Sequence, residues 1–234
     1  MKFEYHIGIL AGGKSRRFGS NKLLYVLEGE PLLLHIVKEI PKLLMQPTSI
    51  TLSLYDFSQY EEIISFFLKK EEFKRISKFS WTYTQPSNLS FPNIMIDILL
   101  DTYHGIDNKE RAAIFGLQTI CNKITKGYLQ IIPCDTPYFD ARAINYHLDI
   151  LRNSSIEFDA IIPQWKNQFT EPLNSLYKVQ SIKHIIDRNI KNHEYTIRKI
   201  ILTSLKVRFL EIEKEFSPFL AIKKIFQNLN EIPI

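Results

Sequence analysis

Short β-branched runs alternate with segments of helical periodicity along nearly the whole chain, and this alternation constrains the fold more than any other feature. Tyr5–Leu10 (YHIGIL) is an apolar run stopped by glycines, which predicts a buried first strand. Pro31 opens PLLLHIVKEIPKLL, whose apolar residues recur at helical spacing, so a helix is expected from there. Ser49–Tyr55 (SITLSLY) predicts a strand and SQYEEIISFFLKK a helix. MIDILLD (Met95–Asp101) reads as a strand, ERAAIFGLQTICNKI as a helix, GYLQIIPCD as a strand and DARAINYHLDIL as a helix. DAIIPQ and LNSLYKV follow as strands, SIKHIIDRNIKN as a helix and KVRFLEI as a late strand. FKRISKFSWTYT (Phe73–Thr84) mixes bases with rings; it predicts an amphipathic helix followed by a strand, and only secondarily a nucleic-acid surface.

Strands alternating with helices build βαβ units, so the expectation is an α/β protein with a mainly parallel sheet in a three-layer α/β/α arrangement. Ligands of such sheets bind beyond the carboxyl ends of the strands, near a switch in strand order. No internal repeat, low-complexity stretch or linker interrupts the chain, which predicts a single domain over residues 1–234. QPSNLSFPN (Gln85–Asn93) is expected to be a surface loop.

The net charge of +5 favours anionic partners, but the bases are scattered and no nucleic-acid module is recognisable. Nucleic acid is therefore the poorer option beside a phosphorylated small molecule. Cys121 and Cys134 form no CxxC pair and have no zinc spacing, as expected of buried thiols in a reducing cytosol. MKFEYHIGILAGGKS holds too short an apolar core for a membrane span and lacks a signal-peptide pattern. A soluble cytoplasmic protein without a membrane partner, monomeric or weakly oligomeric, is expected.

The first strand runs into LAGGKSRRFGSNK (Leu10–Lys22), where three of the chain's 8 glycines gather. Lys14, Arg16 and Arg17 repel one another unless an anion sits among them. A glycine turn at a strand end can present backbone N–H groups to phosphates, with Arg16, Arg17 and Lys22 adding charge. The loop is neither a Walker A motif nor a GxGxxG fingerprint, and a tight turn with solvated bases is the plainer alternative. Ser15 either bonds a phosphate oxygen or caps the next helix. IIPCDTPYF (Ile131–Phe139) ends another strand on Asp135 between two prolines. A carboxylate there suits Mg²⁺, which needs few protein ligands when phosphates supply the rest, although a helix cap uses the same residue. Asp101 closes MIDILLD in the same way, as a contact to nucleotide or metal or as a turn residue.

Together these stretches resemble the MobA-like nucleotidyltransferases, the molybdenum cofactor guanylyltransferase family. LAGGKSRRFGSNK looks like its LAGGxSxRMGxDK signature, and PCDTPYF is similar to its metal-binding motif. Asp101 precedes Asn108 by seven residues, the spacing between the family's acid and its GPLxGxxxGL segment, whose place is taken by NKERAAIFGL. EPLNSLYKV and FQNLNEIPI are similar to two later family motifs. Phe18 stands for the signature's Met, Asn21 for its acid, and KERAA for GPLxG.

The resemblance implies a Rossmann-like, GT-A-like nucleotidyltransferase fold, with a nucleotide-binding half over about 1–140 and an acceptor half over about 141–234. It implies transfer of GMP from GTP to the terminal phosphate of molybdenum–molybdopterin cofactor, with release of pyrophosphate. Arg17, Lys22 and Asp135 would be the catalytic residues and Asp135 the Mg²⁺ ligand. Leu10, Ala11, Gly12, Gly13, Ser15, Lys22, Asp101 and Asp135 would bind the nucleotide. Lys166 and Asn174 are candidates on the acceptor side, and Trp165 would stack on a pterin or pack as an ordinary aromatic. CTP or another phosphorylated acceptor is the alternative chemistry, and a non-catalytic nucleotide-binding relative the alternative class. The six histidines are dispersed and are assigned no chemistry.

Overall fold

Tyr5–Leu10 forms strand β1, and every one of its residues is buried. The computed structural model describes residues 4–11, 21–85, 93–101, 112–198, 205–217 and 222–229. Strand β1 is central in a sheet of nine strands. The further strands are β4 (Ser49–Leu54), β5 (Phe73–Arg75), β6 (Ser80–Tyr83), β7 (Ile94–Leu100), β8 (Tyr128–Pro133), β9 (Ala160–Gln164), β10 (Leu176–Lys178) and β11 (Val207–Glu211). Strands β2 (Val26–Leu27) and β3 (Glu30–Pro31) form a separate small hairpin. Spatial order is β11-β9-β10-β8-β1-β4-β7-β6-β5. Only β6 and β10 run against the rest, because each pairs antiparallel with both neighbours.

Alternating residues of the strands feed two separate cores. Ile132, Ile161 and Leu176 point into one, with the buried side chains of α1 (Leu32–Val37), α2 (Phe57–Phe67) and α4 (Ala141–Asn153). Leu129, Ile131, Ile162 and Tyr177 point into the other, with α3 (Ala113–Lys123) and α5 (Val179–Lys191). Helices thus cover both faces of a mainly parallel sheet, the three-layer α/β/α architecture expected from the sequence.

Two elements differ from expectation. The helix expected from Pro31 through Leu44 ends at Val37, and a 3₁₀ turn (Ile40–Lys42) follows, because Pro41 cannot donate to an α-helical ladder. The amphipathic helix expected within Phe73–Thr84 does not form. β5 and β6 make a hairpin there, which buries Phe73, Trp81 and Tyr83 beside Phe67 of α2. Rings on alternate residues suit a pleated surface, and only four residues separate the strands, so period two wins over period 3.6.

The chain leaves β1, builds β4 and β7 outward on one side, then returns to lay β8 on the other. Strand order therefore reverses between β1 and β8, and sheets of this kind take ligands beyond the carboxyl ends of the strands at such a point. Gly127 sets that return. Its φ is +82°, and a Cβ there would lie 2.6 Å from the Glu4 carbonyl oxygen, which accepts the Tyr128 N–H at 3.0 Å. Gly127→Ala should therefore destabilise the fold by about 2–3 kcal/mol, from left-handed strain plus the contact. In thermal melts that is a fall of roughly 5–10 °C; an unchanged midpoint would show that this turn does not set the β1–β8 pairing.

Candidate active site

Leu10 and Pro133 face one another as the last paired residues of β1 and β8, and the chain beyond each carries a charged group to the switch point. The Lys22 ammonium donates to Asp135 Oδ2 at 3.1 Å across 113 residues of sequence. The lysine side chain is mostly covered, 14% exposed, and the carboxylate 26%, so the pair lies at the rim within reach of solvent.

Each partner is anchored from behind. Lys22 opens a 3₁₀ turn (Lys22–Leu24) capped by Asn21, whose Oδ1 accepts the Leu23 N–H at 3.2 Å. Cys134 donates its N–H to the Leu10 carbonyl at 3.0 Å, tying the Asp135 turn to the end of β1. Asn174 is buried and donates to Thr136 Oγ1 at 2.9 Å, while the Leu229 N–H donates to the Asp135 carbonyl at 2.7 Å. Asp135 is thus gripped by the segment before β10 and by the last described residue. Asn174, a sequence candidate on the acceptor side, bonds the turn that follows Asp135. Burial pushes the Cys134 and Cys121 thiols each up to about 12, so both stay protonated and unreactive at neutral pH.

Leu10 and Ala11 are buried. Ala11 donates its N–H to the Ser53 carbonyl at 3.1 Å and accepts from Gln59 Nε2 at 3.1 Å, so this residue roots the glycine-rich segment in the sheet. Gly12, Gly13, Ser15, Arg16 and Arg17 lie outside the described residues, as do Asn108–Arg111 of the altered segment.

Asp101, just past β7, is 7% exposed. Its N–H donates to the Leu54 carbonyl at 2.8 Å, and Ser53 Oγ donates to its Oδ1. Gly116 of α3 makes room for this: a Cβ there would lie 2.9 Å from Ser53 Oγ and 3.1 Å from Leu10 Cδ2. Burial raises the Asp101 carboxyl to about 6, against the hydrogen bonds from Ser53 and Thr119 that favour the ionised form. At neutral pH it is an ionised acceptor inside a dry wall. Such a group recognises N–H donors rather than phosphates.

Among the described residues no cluster of three His, Cys, Asp or Glu side chains could hold a metal. A lone rim carboxylate with only one oxygen engaged by Lys22 fits Mg²⁺, which keeps several waters and takes substrate phosphates as ligands. Toward the outer edge, a cleft of about 580 Å³ is lined by Trp165, Lys166, Arg208, Lys214, Glu211 and Glu215 among others, with Arg208 donating to Glu215 at 2.9 Å. Trp165 packs on Phe226 and donates to Glu171 Oε1 at 2.7 Å; Lys166 is exposed.

Sequence reasoning missed Ser53, Thr119 and above all Gln59. Asp56-Phe-Ser-Gln59 reads as a capping box, and that pattern was available in the sequence. It accounts for Asp56 accepting the Gln59 N–H at 2.9 Å, but not for the bonds that Gln59 donates.

Residues 7–62 match the MobA-like NTP transferase domain. The chain is 25% identical over 215 residues to a protein of Thermococcus sibiricus named "Probable molybdenum cofactor guanylyltransferase", covering 90% of this chain and 89% of that one. A Clostridium perfringens protein of the same name is 25% identical over 232 residues, covering 96% and 90%. Among solved structures, the molybdopterin-guanine dinucleotide biosynthesis protein A of Archaeoglobus fulgidus superposes with a TM-score of 0.67 at 19% identity, over 96% of this chain and 92% of that one. A cytidylyltransferase of Francisella tularensis does so at 0.56 and 11%, over 91% and 92%. The fold is the Rossmann-like α/β fold of nucleotidyltransferases. The matched segment 7–62 holds Lys22; Asp101 and Asp135 lie beyond it. Among the described residues no helix is long and apolar enough to cross a membrane.

The Asp101 carboxyl takes up a proton more readily when folded, about 6, than at its ordinary 3.8. Between those values the folded state holds more protons, so its contribution to stability is present at low pH and is lost as pH rises through 6. Two units correspond to about 3 kcal/mol. In urea titrations at pH 4 and pH 7, Asp101→Asn should lose about that much less stability than the native chain over the interval. Equal losses would mean the carboxyl is not buried as described.

Proposed function

We propose that this chain is a Mg²⁺-dependent nucleotidyltransferase that transfers GMP from GTP to the terminal phosphate of a molybdopterin-type cofactor and releases pyrophosphate. The observation that carries the reading is the Lys22–Asp135 pair, 3.1 Å apart at the switch point of the sheet. The names of the full-length relatives support it and supply the substrate class.

An acceptor phosphate oxygen bonds to the α-phosphorus of GTP while the bond from that phosphorus to the α–β bridging oxygen breaks. The electron pair leaves with pyrophosphate. The nucleophile is already an anion, so the protein supplies positioning and charge rather than a base. Lys22 gives up Asp135 and takes phosphate oxygens, neutralising the leaving group together with Arg17. Gly12, Gly13 and Ser15 are assigned to the phosphates as well. Asp135 would hold Mg²⁺, which when bound acts as a Lewis acid on the phosphoryl oxygens. Asp101 accepts from the N–H donors of the base. Lys166, Arg208 and Lys214 in the outer cleft would receive the acceptor, with Trp165 forming one wall.

The test is pyrophosphate release from each nucleoside triphosphate with Mg²⁺ and molybdopterin-type acceptors. Release with GTP is expected; release with CTP alone would reject the base assignment. Asp135→Asn should reduce turnover at least about a hundredfold, about 3 kcal/mol of barrier, while the variant stays folded at the assay temperature. Lys22→Met keeps the aliphatic stem and should raise the KM for GTP about tenfold while lowering kcat. Full activity in either variant would remove that residue from the chemistry.

A further inference from the structure

Gln59 spends its whole carboxamide at the mouth of the glycine-rich segment. Its Oε1 accepts the Tyr55 N–H at 2.8 Å, which fixes the amide orientation and turns Nε2 toward two acceptors. Those are the Ala11 carbonyl at 3.1 Å and Asn21 Oδ1 at 3.3 Å, the described residues on either side of segment 12–20. One NH₂ group therefore joins the two ends of the segment. Asn21 is 8% exposed, and the oxygen that receives Gln59 is the one that caps the turn bearing Lys22.

We propose that Gln59 is a positioning residue for triphosphate binding, acting through Asn21 on Lys22 and through Ala11 on the root of the glycine-rich segment. The inference rests on the nucleotidyltransferase reading. The bridge steadies the Asn21 cap of the 3₁₀ turn from which Lys22 projects, so the lysine reaches Asp135 from a fixed backbone. Gln59 touches neither substrate nor reacting atoms in this scheme, so its loss falls on nucleotide affinity.

Calorimetric titration of GTP with Mg²⁺ into the native chain, Gln59→Met and Gln59→Glu tests this, alongside steady-state kinetics. Gln59→Met matches the side chain in length and donates nothing; GTP binding should weaken about tenfold, or about 1.4 kcal/mol. Gln59→Glu keeps the acceptor for Tyr55 and so keeps the start of α2, but turns an anionic oxygen toward two acceptors. It should bind GTP more weakly still. In both variants the KM for GTP should rise in step with its dissociation constant, while the KM for the acceptor stays put. A double variant with Asn21→Ala should lose less GTP affinity than the two single losses multiplied, since the Gln59–Asn21 bond is common to both; fully multiplicative losses would show that the two residues act independently and overturn the route through Asn21. Unaltered GTP affinity, or a lower kcat at unchanged KM, would reduce Gln59 to a structural residue and overturn the inference alone. Failure of the native chain to bind any nucleoside triphosphate would overturn the nucleotidyltransferase reading and the inference with it.

Discussion

The rest of the site is organised around one ion pair at the rim of the sheet. Lys22 and Asp135 are partly covered, so each charge has lost some water and each needs the other. A lysine held this way has its charge balanced at the rim by a carboxylate from the other side of the strand switch. The pair is also the reason two stretches far apart in sequence act together. Parallel pairing of β1 with β8 puts their carboxyl ends side by side, and the bond from Cys134 N–H to the Leu10 carbonyl holds the two exits in register. Had β8 been laid beyond β7 instead of beside β1, the same residues would stand far apart on the same rim.

Much of the fold was legible because burial on both faces leaves a plain mark. β1, β4 and β8 are short, buried runs rich in apolar and β-branched residues, as strands of a covered parallel sheet must be, and the helices between them carry regular periodicity. The reading failed where the chain leaves that regime. Phe73–Thr84 lies at the sheet's edge, where Phe73, Trp81 and Tyr83 face inward while Lys74, Arg75 and Thr82 are less covered, and its bases and rings mimicked an amphipathic helix. At Pro41 the apolar pattern carried on through a residue whose backbone cannot.

The site was legible to the extent that chemistry sat at strand ends. Asp101 and Asp135 were found because an acid closing a buried run is conspicuous, and Lys22 because it ends the glycine-rich basic segment after β1. Its supports were hidden because nothing in their own neighbourhood announces them. Ser53 is one more small residue of a β-branched strand, Thr119 one more position of a helix, and Asn174 a polar residue before a strand. Their partners lie 48 residues away for Ser53 and 38 for Asn174, distances over which only the fold can pair them. Gln59 shows the limit most sharply: its local capping pattern with Asp56 says nothing of the bonds it donates to Ala11 and Asn21, 48 and 38 residues away.

Asn21 shows how a departure from a familiar pattern can be absorbed. The signature that this segment resembles places an acid before the lysine, and an acid would accept from Leu23 and Gln59 just as the amide oxygen does. It would also bring a second negative charge to the residue preceding Lys22, close enough to compete with Asp135 for the ammonium. The amide keeps both accepted bonds and adds no charge. Asp135 then remains the carboxylate that meets Lys22, and the charge balance of the rim is set across the β1–β8 switch point rather than along the chain.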